Sequence, residues 1–136
     1  MKVFISHSSK DQDLAARVVS SLEKSGLDVW YDKREILPGD NWADKIAQGL
    51  RESDAMVVLL TPSALESDSV NWDIDFALTQ KPFKRRLIPV IVGDPENFPR
   101  HRIPWILHHL RTVTVSANGT SDEELNRIAD LLKEAA

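Results

Sequence analysis

Asp54-Ala55-Met56-Val57-Val58-Leu59-Leu60 places six apolar residues in a row between an acid and the breaker Thr61-Pro62. A strand with one wet face alternates apolar and polar residues, so a run without alternation reads as a strand covered on both faces. Lys2-Val3-Phe4-Ile5-Ser6 reads the same way, as a central strand at the start of the chain. Two such strands call for a parallel sheet with helices on each side.

Working outward from Ala55, the segment before it is a helix. Asn41 can cap it, and Trp42, Ile46 and Leu50 mark its buried face. Leu27-Asp28-Val29-Trp30-Tyr31 is a second strand, and Asp32 to Asp40 is a charged connection with a Pro38-Gly39 turn. That connection is long for this class of fold, and long loops on a rigid scaffold tend to carry function. Between the first two strands, Ser9 and Gln12 fit a capping box, Leu14, Val18 and Leu22 recur every four residues, and Gly26 suits a left-handed end.

Downstream, Thr61-Pro62-Ser63 ends the third strand. Ser69 to Leu78 then reads as a helix whose buried stripe is Val70, Ile74, Ala77 and Leu78. Lys81-Pro82-Phe83 stops it, and Leu87-Ile88-Pro89-Val90-Ile91-Val92 is a fourth strand. Pro89 lacks a ladder donor, which places that strand near a sheet edge or at a bulge. Between 93 and 111 the expectation is loop with a short helix near Trp105-Ile106-Leu107. Thr112 to Val115 is a fifth, edge strand, and a last helix follows a Ser121–Glu124 capping box, with Leu125, Ile128 and Leu132 buried.

Strand and helix alternate five times. The expected fold is therefore α/β, a five-stranded parallel sheet in the order 2-1-3-4-5 with right-handed crossovers and helices on both faces. Ligands in such sheets bind beyond the carboxyl ends of the strands, where the loops here begin at Ser6, Asp32, Thr61 and Gly93.

The 136 residues, 42% hydrophobic and 28% charged, suit one soluble domain over 1–136, whose chain can continue past Ala136 into a partner domain. A net charge of -4 does not favour nucleic acid. With no cysteine, disulfides, thiolate metal sites and a cysteine nucleophile are excluded, and the composition is compatible with the cytoplasm. No signal peptide or membrane-length apolar run is found.

Asp73 lies beside the apolar stripe of its helix, whereas Asp75 points away. A carboxyl at the edge of a core needs partners. Two roles suit it: hydrogen-bonding a neighbouring loop, or chemistry. Glycine-rich phosphate loops are absent. A phospho-receiver site would need acids after strands one and three, where Ser6-His7 and Leu60-Thr61 stand instead. His108 and His109 are adjacent and would point about 100° apart on a helix, and with His7 and His101 they show no metal-ligand spacing, so no metal is assigned. Lys81, Lys84, Arg85 and Arg86 suit a solvated helix end, or contact with an acidic partner.

Four stretches, in order, resemble bacterial TIR domains: Val3 to Asp11; Val29 to Asp32 with Ile36 to Asp40; Leu59 to Leu65; and Ser69 to Ala77. The resemblance covers essentially the whole chain. It implies a flavodoxin-like fold and one of two activities. One is cleavage of the nicotinamide–ribose bond of NAD⁺ by an assembled domain, as hydrolase or ADP-ribose cyclase, in bacterial immune or stress signalling. The other is a non-catalytic TIR–TIR interaction module. The enzymes of that family use a glutamate where Asp73 stands, one methylene longer. The resemblance implies no cofactor, with NAD⁺ as substrate, and self-association through the BB loop; charge and the lack of a membrane-length run leave neither nucleic acid nor membrane as an expected partner. In that loop Arg34, Glu35, Leu37, Pro38 and Gly39 are the partner-binding candidates.

The expected cleft is lined by Ser6, His7, Ser8, Asp32, Trp42, Trp72 and Asp73. His7 or Ser8 would bind the pyrophosphate, and Asp73 would hold the ribose. Trp42 and Trp72 would stack on a flat ring, although Trp42 also shares a stripe with Ile46 and Leu50 and suits the core.

Overall fold

Burying both faces of the two apolar runs puts them side by side in the middle of the sheet. In the computed structural model, which describes residues 1–79, 86–93, 102, 103, 107, 110–116 and 122–135, β1 (Lys2–Ser6) pairs in parallel with β3 (Ala55–Leu60), Val3 opposite Ala55. On the other side of β1 lies β2 (Asp28–Trp30); beyond β3 lie β4 (Leu87–Val92) and β5 (Val113–Val115), all parallel. The order β2-β1-β3-β4-β5 is the expected one.

Strand residues alternate between two cores, as the pleat dictates. Val3, Ile5 and Val57 face α1 (Gln12–Lys24) and α6 (Asp122–Ala135). Phe4, Met56 and Val58 face α3 (Trp42–Glu52) and α5 (Asp68–Thr79). Single turns α2 (Asp32–Glu35) and α4 (Pro62–Leu65) follow β2 and β3.

Several local readings change. The first helix begins at Gln12, because Ser9–Asp11 forms a 3-10 turn capped from one residue earlier, where the Ser8 hydroxyl accepts from the Lys10 N–H. The connection from Asp32 opens with α2 before its exposed tip. There Asp40 closes the turn on the Leu37 N–H at 2.8 Å, and Gly39 takes φ 92°. Leu78 is exposed: it lies about 80° round the helix from Val70, past the stripe held by Val70, Ile74 and Ala77. Trp42 is 45% exposed and not core, because burial deepens along α3 from Trp42 through part-buried Ile46 to Leu50.

Pro89 sits in β4, which is next to the edge strand. The Arg86 carbonyl accepts from Met56 N–H, so even-numbered positions of β4 face β3 and Pro89 faces β5. Pairing with β5 starts only at Val90, so no ladder bond is lost. Trp105, Ile106 and Ser121 lie outside the described residues, as do His101, His108, His109, Lys81, Lys84 and Arg85.

One contact makes a helix glycine necessary. Trp30 stacks on Phe4 with centroids 5.0 Å apart, and a Cβ on Gly49 would lie 2.4 Å from Trp30 Cε2. Alanine is intrinsically the better helix former by about 1 kcal/mol, but here it would force the indole off its stack. Gly49→Ala is expected to lower unfolding free energy by about 1–3 kcal/mol in urea titration.

Candidate functional site

The site is built where β1, β2 and β3 end. Ser6, the last residue of β1, is buried, and its hydroxyl donates to Asp73 Oδ2 at 2.8 Å. Asp73 comes from the second turn of α5 and is only 5% exposed. Burial raises its carboxyl to about 7, against the opposing pull of the Ser6 hydrogen bond and of a positive charge on His7; the negative charge of Asp32 adds to the rise. Asp73 thus changes charge near neutral pH.

His7, the next residue, has both ring nitrogens engaged. Nδ1 lies 2.9 Å from the Ser8 carbonyl oxygen and Nε2 lies 3.1 Å from Asp32 Oδ1. A carbonyl and an ionised carboxylate can only accept, so both contacts are satisfied together only by the doubly protonated imidazolium. The electrostatics agree. Burial opposes charging of the ring, but the Asp32 hydrogen bond, the Ser8 carbonyl and the charges of Asp32 and Asp11 outweigh it and raise His7 above its ordinary value. Burial likewise opposes ionisation of Asp32, and the His7 bond and charge outweigh it, lowering that carboxyl. The site holds an ion pair beside a protonatable acid.

Of the expected residues, the structure brings Ser6, His7, Ser8, Asp32 and Asp73 together. It leaves Trp42 and Trp72 on the surface, Trp72 at 65% exposed, each near the start of its helix. His7 has no nitrogen left for a pyrophosphate, so of the expected pair only Ser8, itself buried, has a hydroxyl proton without an acceptor among the described residues, its oxygen already accepting from Lys10 N–H. Arg34 is tied back to Glu23 at 3.1 Å and lies over the Tyr31 ring, while Glu35 is exposed at the end of α2 and Leu37, Pro38 and Gly39 are exposed at the tip. A contact the sequence did not reveal joins Thr61 Oγ1 to Asp11 Oδ2 at 2.5 Å across 50 positions. The one available signal was that Thr61 opens a loop at the same sheet edge.

The Asp73 carboxyl is closed off. A cleft of about 310 Å³ lies instead on the opposite face, between α1 and α6, lined by Arg17, Lys24 and Asn126 among others. Among the described residues no group of three or more His, Asp or Glu is placed to hold a metal ion, and no helix is long and apolar enough to cross a membrane.

A family model described as TIR domain matches residues 3–132. The 2' cyclic ADP-D-ribose synthase AbTIR of Acinetobacter baumannii is 35% identical over 74 residues, 54% of this chain and 28% of that protein. The NAD(+) hydrolase TcpC of Escherichia coli is 32% identical over 73 residues, 53% of this chain and 24% of that protein. The chain thus spans about a quarter of the length of these curated relatives. The crystal structure of the TIR domain of a Toll-related receptor from Hydra magnipapillata superposes with a TM-score of 0.72 at 18% identity, covering 98% of this chain and 96% of that one.

The carboxyl of Asp73 sets a stability trend with a definite sign. Its folded value near 7 stands above the ordinary 3.8, so the native state holds a proton that the unfolded chain releases, and stability falls as pH rises from about 4 through 7. At about 1.4 kcal/mol per unit, the fall is about 4 kcal/mol. His7, raised, adds stability below its unfolded value that is lost as pH climbs through its folded one. Asp32, lowered, contributes above 3.8 and is lost only in acid. Asp73→Asn is expected to flatten most of the fall between pH 4 and 8 in urea titrations; an unchanged slope would locate the proton elsewhere.

Proposed function

This chain belongs to the TIR domain family, and we propose that it cleaves the nicotinamide–ribose bond of NAD⁺ as a single domain over 1–136, with Asp73 as the carboxylate at the reacting centre. The observation that carries this reading is the buried Asp73 carboxyl, fixed by Ser6 at 2.8 Å at the carboxyl edge of the sheet. Relatives named as an NAD(+) hydrolase and a cyclic ADP-ribose synthase support it.

The chemistry follows from charge. The nicotinamide nitrogen of NAD⁺ is already cationic, so the base departs with the bonding electrons and needs no acid. Positive charge then builds on the ribose, and an ionised carboxylate in a dry site stabilises it. Water captures the cation to give ADP-ribose, or a hydroxyl of the same molecule does so to give a cyclic product. Only ionised Asp73 serves, so activity rises with pH through about 7. Substrate entry requires the closed carboxyl to be uncovered. Ser8 supplies a hydroxyl to the pyrophosphate, and exposed Trp42 and Trp72 supply flat surfaces for stacking. The reading places the protein in the cytoplasm, where NAD⁺ is found.

Self-association completes the proposal: Glu35 at the end of α2 and the tip carrying Leu37, Pro38 and Gly39 meet a second TIR domain. Leu37 is 61% exposed, which suits a contact. A second reading, a TIR–TIR module without catalysis, is favoured by the closed carboxyl together with these exposed apolar side chains.

Incubation of concentrated protein with NAD⁺ is expected to release nicotinamide, read by chromatography, and Asp73→Ala to abolish the release. Aspartate is shorter than glutamate by one methylene, about 1 Å, and such a displacement costs about 10²-fold. Asp73→Glu is therefore expected to hold or raise the rate; no release from either form favours the interaction module.

Pro38→Ala and Gly39→Val should lower the sedimentation coefficient of the concentrated protein toward that of the monomer with circular dichroism unchanged, the valine because φ 92° excludes a β-branched residue. Unchanged sedimentation would move the contact off the tip.

A further inference from the structure

The ends of β2, β1 and β3 lie side by side, and one hydrogen-bonded belt crosses all three. Thr61, just after β3, donates through Oγ1 to Asp11 Oδ2 at 2.5 Å. The same oxygen accepts from the Ala64 N–H at 3.0 Å, so its single proton has the Asp11 carboxylate as its partner. The Asp11 N–H donates to the Ser8 carbonyl at 2.9 Å, and that carbonyl also accepts from His7 Nδ1 at 2.9 Å. His7 Nε2 donates to Asp32 at the end of β2, and Asp32 is steadied by the Lys33 N–H at 2.9 Å.

We propose that Asp11 and Thr61, which touch neither Asp73 nor Ser6, are positioning residues of this site. They hold the Ser8 carbonyl against the His7 ring, so that the ring keeps acceptors on both nitrogens and presents a fixed positive charge toward Asp73. The Thr61 bond ties the 3-10 turn Ser9–Asp11 to the end of β3, so its loss loosens the turn and the Ser8 carbonyl bonded to the Asp11 N–H. The groups that act on the ring are Asp32 from α2, Asp11 from the 3-10 turn and Asp73 from α5, with the Tyr31 ring 6.3 Å away. The consequence for cleavage rests on the NAD⁺ reading: with a weaker imidazolium nearby, Asp73 holds its proton to higher pH.

The test reads His7 directly. Its imidazole titration by NMR in the folded domain needs no catalysis. Thr61→Val is expected to lower the His7 midpoint by about half a pH unit or more, about threefold in proton affinity, and Thr61→Ser to restore it. Asp11→Ala breaks the same link from the other side and also removes the Asp11 charge, so it should lower the midpoint further than Thr61→Val, and the double variant should add little to Asp11→Ala. In the activity arm the midpoint of kcat against pH moves upward in Thr61→Val, with KM little changed. A folded Thr61→Val or Asp11→Ala domain whose His7 midpoint is that of the parent overturns the proposal, whatever the activity. A shifted His7 in a protein that releases no nicotinamide overturns the NAD⁺ reading alone.

Discussion

Everything at the sheet edge depends on one buried carboxyl having one hydroxyl partner. Ser6 and Asp73 are 67 positions apart and meet at 2.8 Å. They meet because β1 lies in the interior of the sheet, flanked by β2 and β3, and because α5 packs Val70, Ile74 and Ala77 against the β3 side of that sheet. Were the order of strands different, the carboxyl would be an isolated buried acid. A single neutral hydroxyl does not compensate the lost hydration of a carboxylate, so Asp73 keeps its proton to about pH 7.

That cost is set against a second pair whose balance goes the other way. His7 and Asp32 share a hydrogen bond at 3.1 Å, and each favours the charged form of the other, which raises His7 and lowers Asp32. Neighbouring titratable groups with environments that push them apart are the usual sign of divided chemical roles. An acid that would ionise in a dry place weakens the fold that carries it as pH rises through its value.

Exposure is divided as well. Trp42 and Trp72 are exposed, Leu37 stands on a turn closed by Asp40, and the Asp73 carboxyl is nearly sealed. Flat apolar side chains therefore stand in solvent while the acid is closed within the fold.

The sequence by itself determined the fold. Runs such as Ala55–Leu60 and Val3–Ile5 lack polar alternation, and that pattern is local, so sheet type, strand order and both helix layers were legible from it. It also marked Asp73 as a carboxyl on the buried side and gathered Ser6, His7 and Asp32 as loop residues of one edge. Only the tertiary structure decided how those residues are paired. Whether Trp42 is core or surface depended on how far α3 overhangs the sheet, and the ionisation of His7 depended on two acceptors, one of them 25 positions away. The Thr61–Asp11 bond, spanning 50 positions, has no local periodicity at all. Hydrophobic burial is set by patterns a few residues long, whereas hydrogen-bond partners and charge states are set by whatever the completed sheet brings within 3 Å.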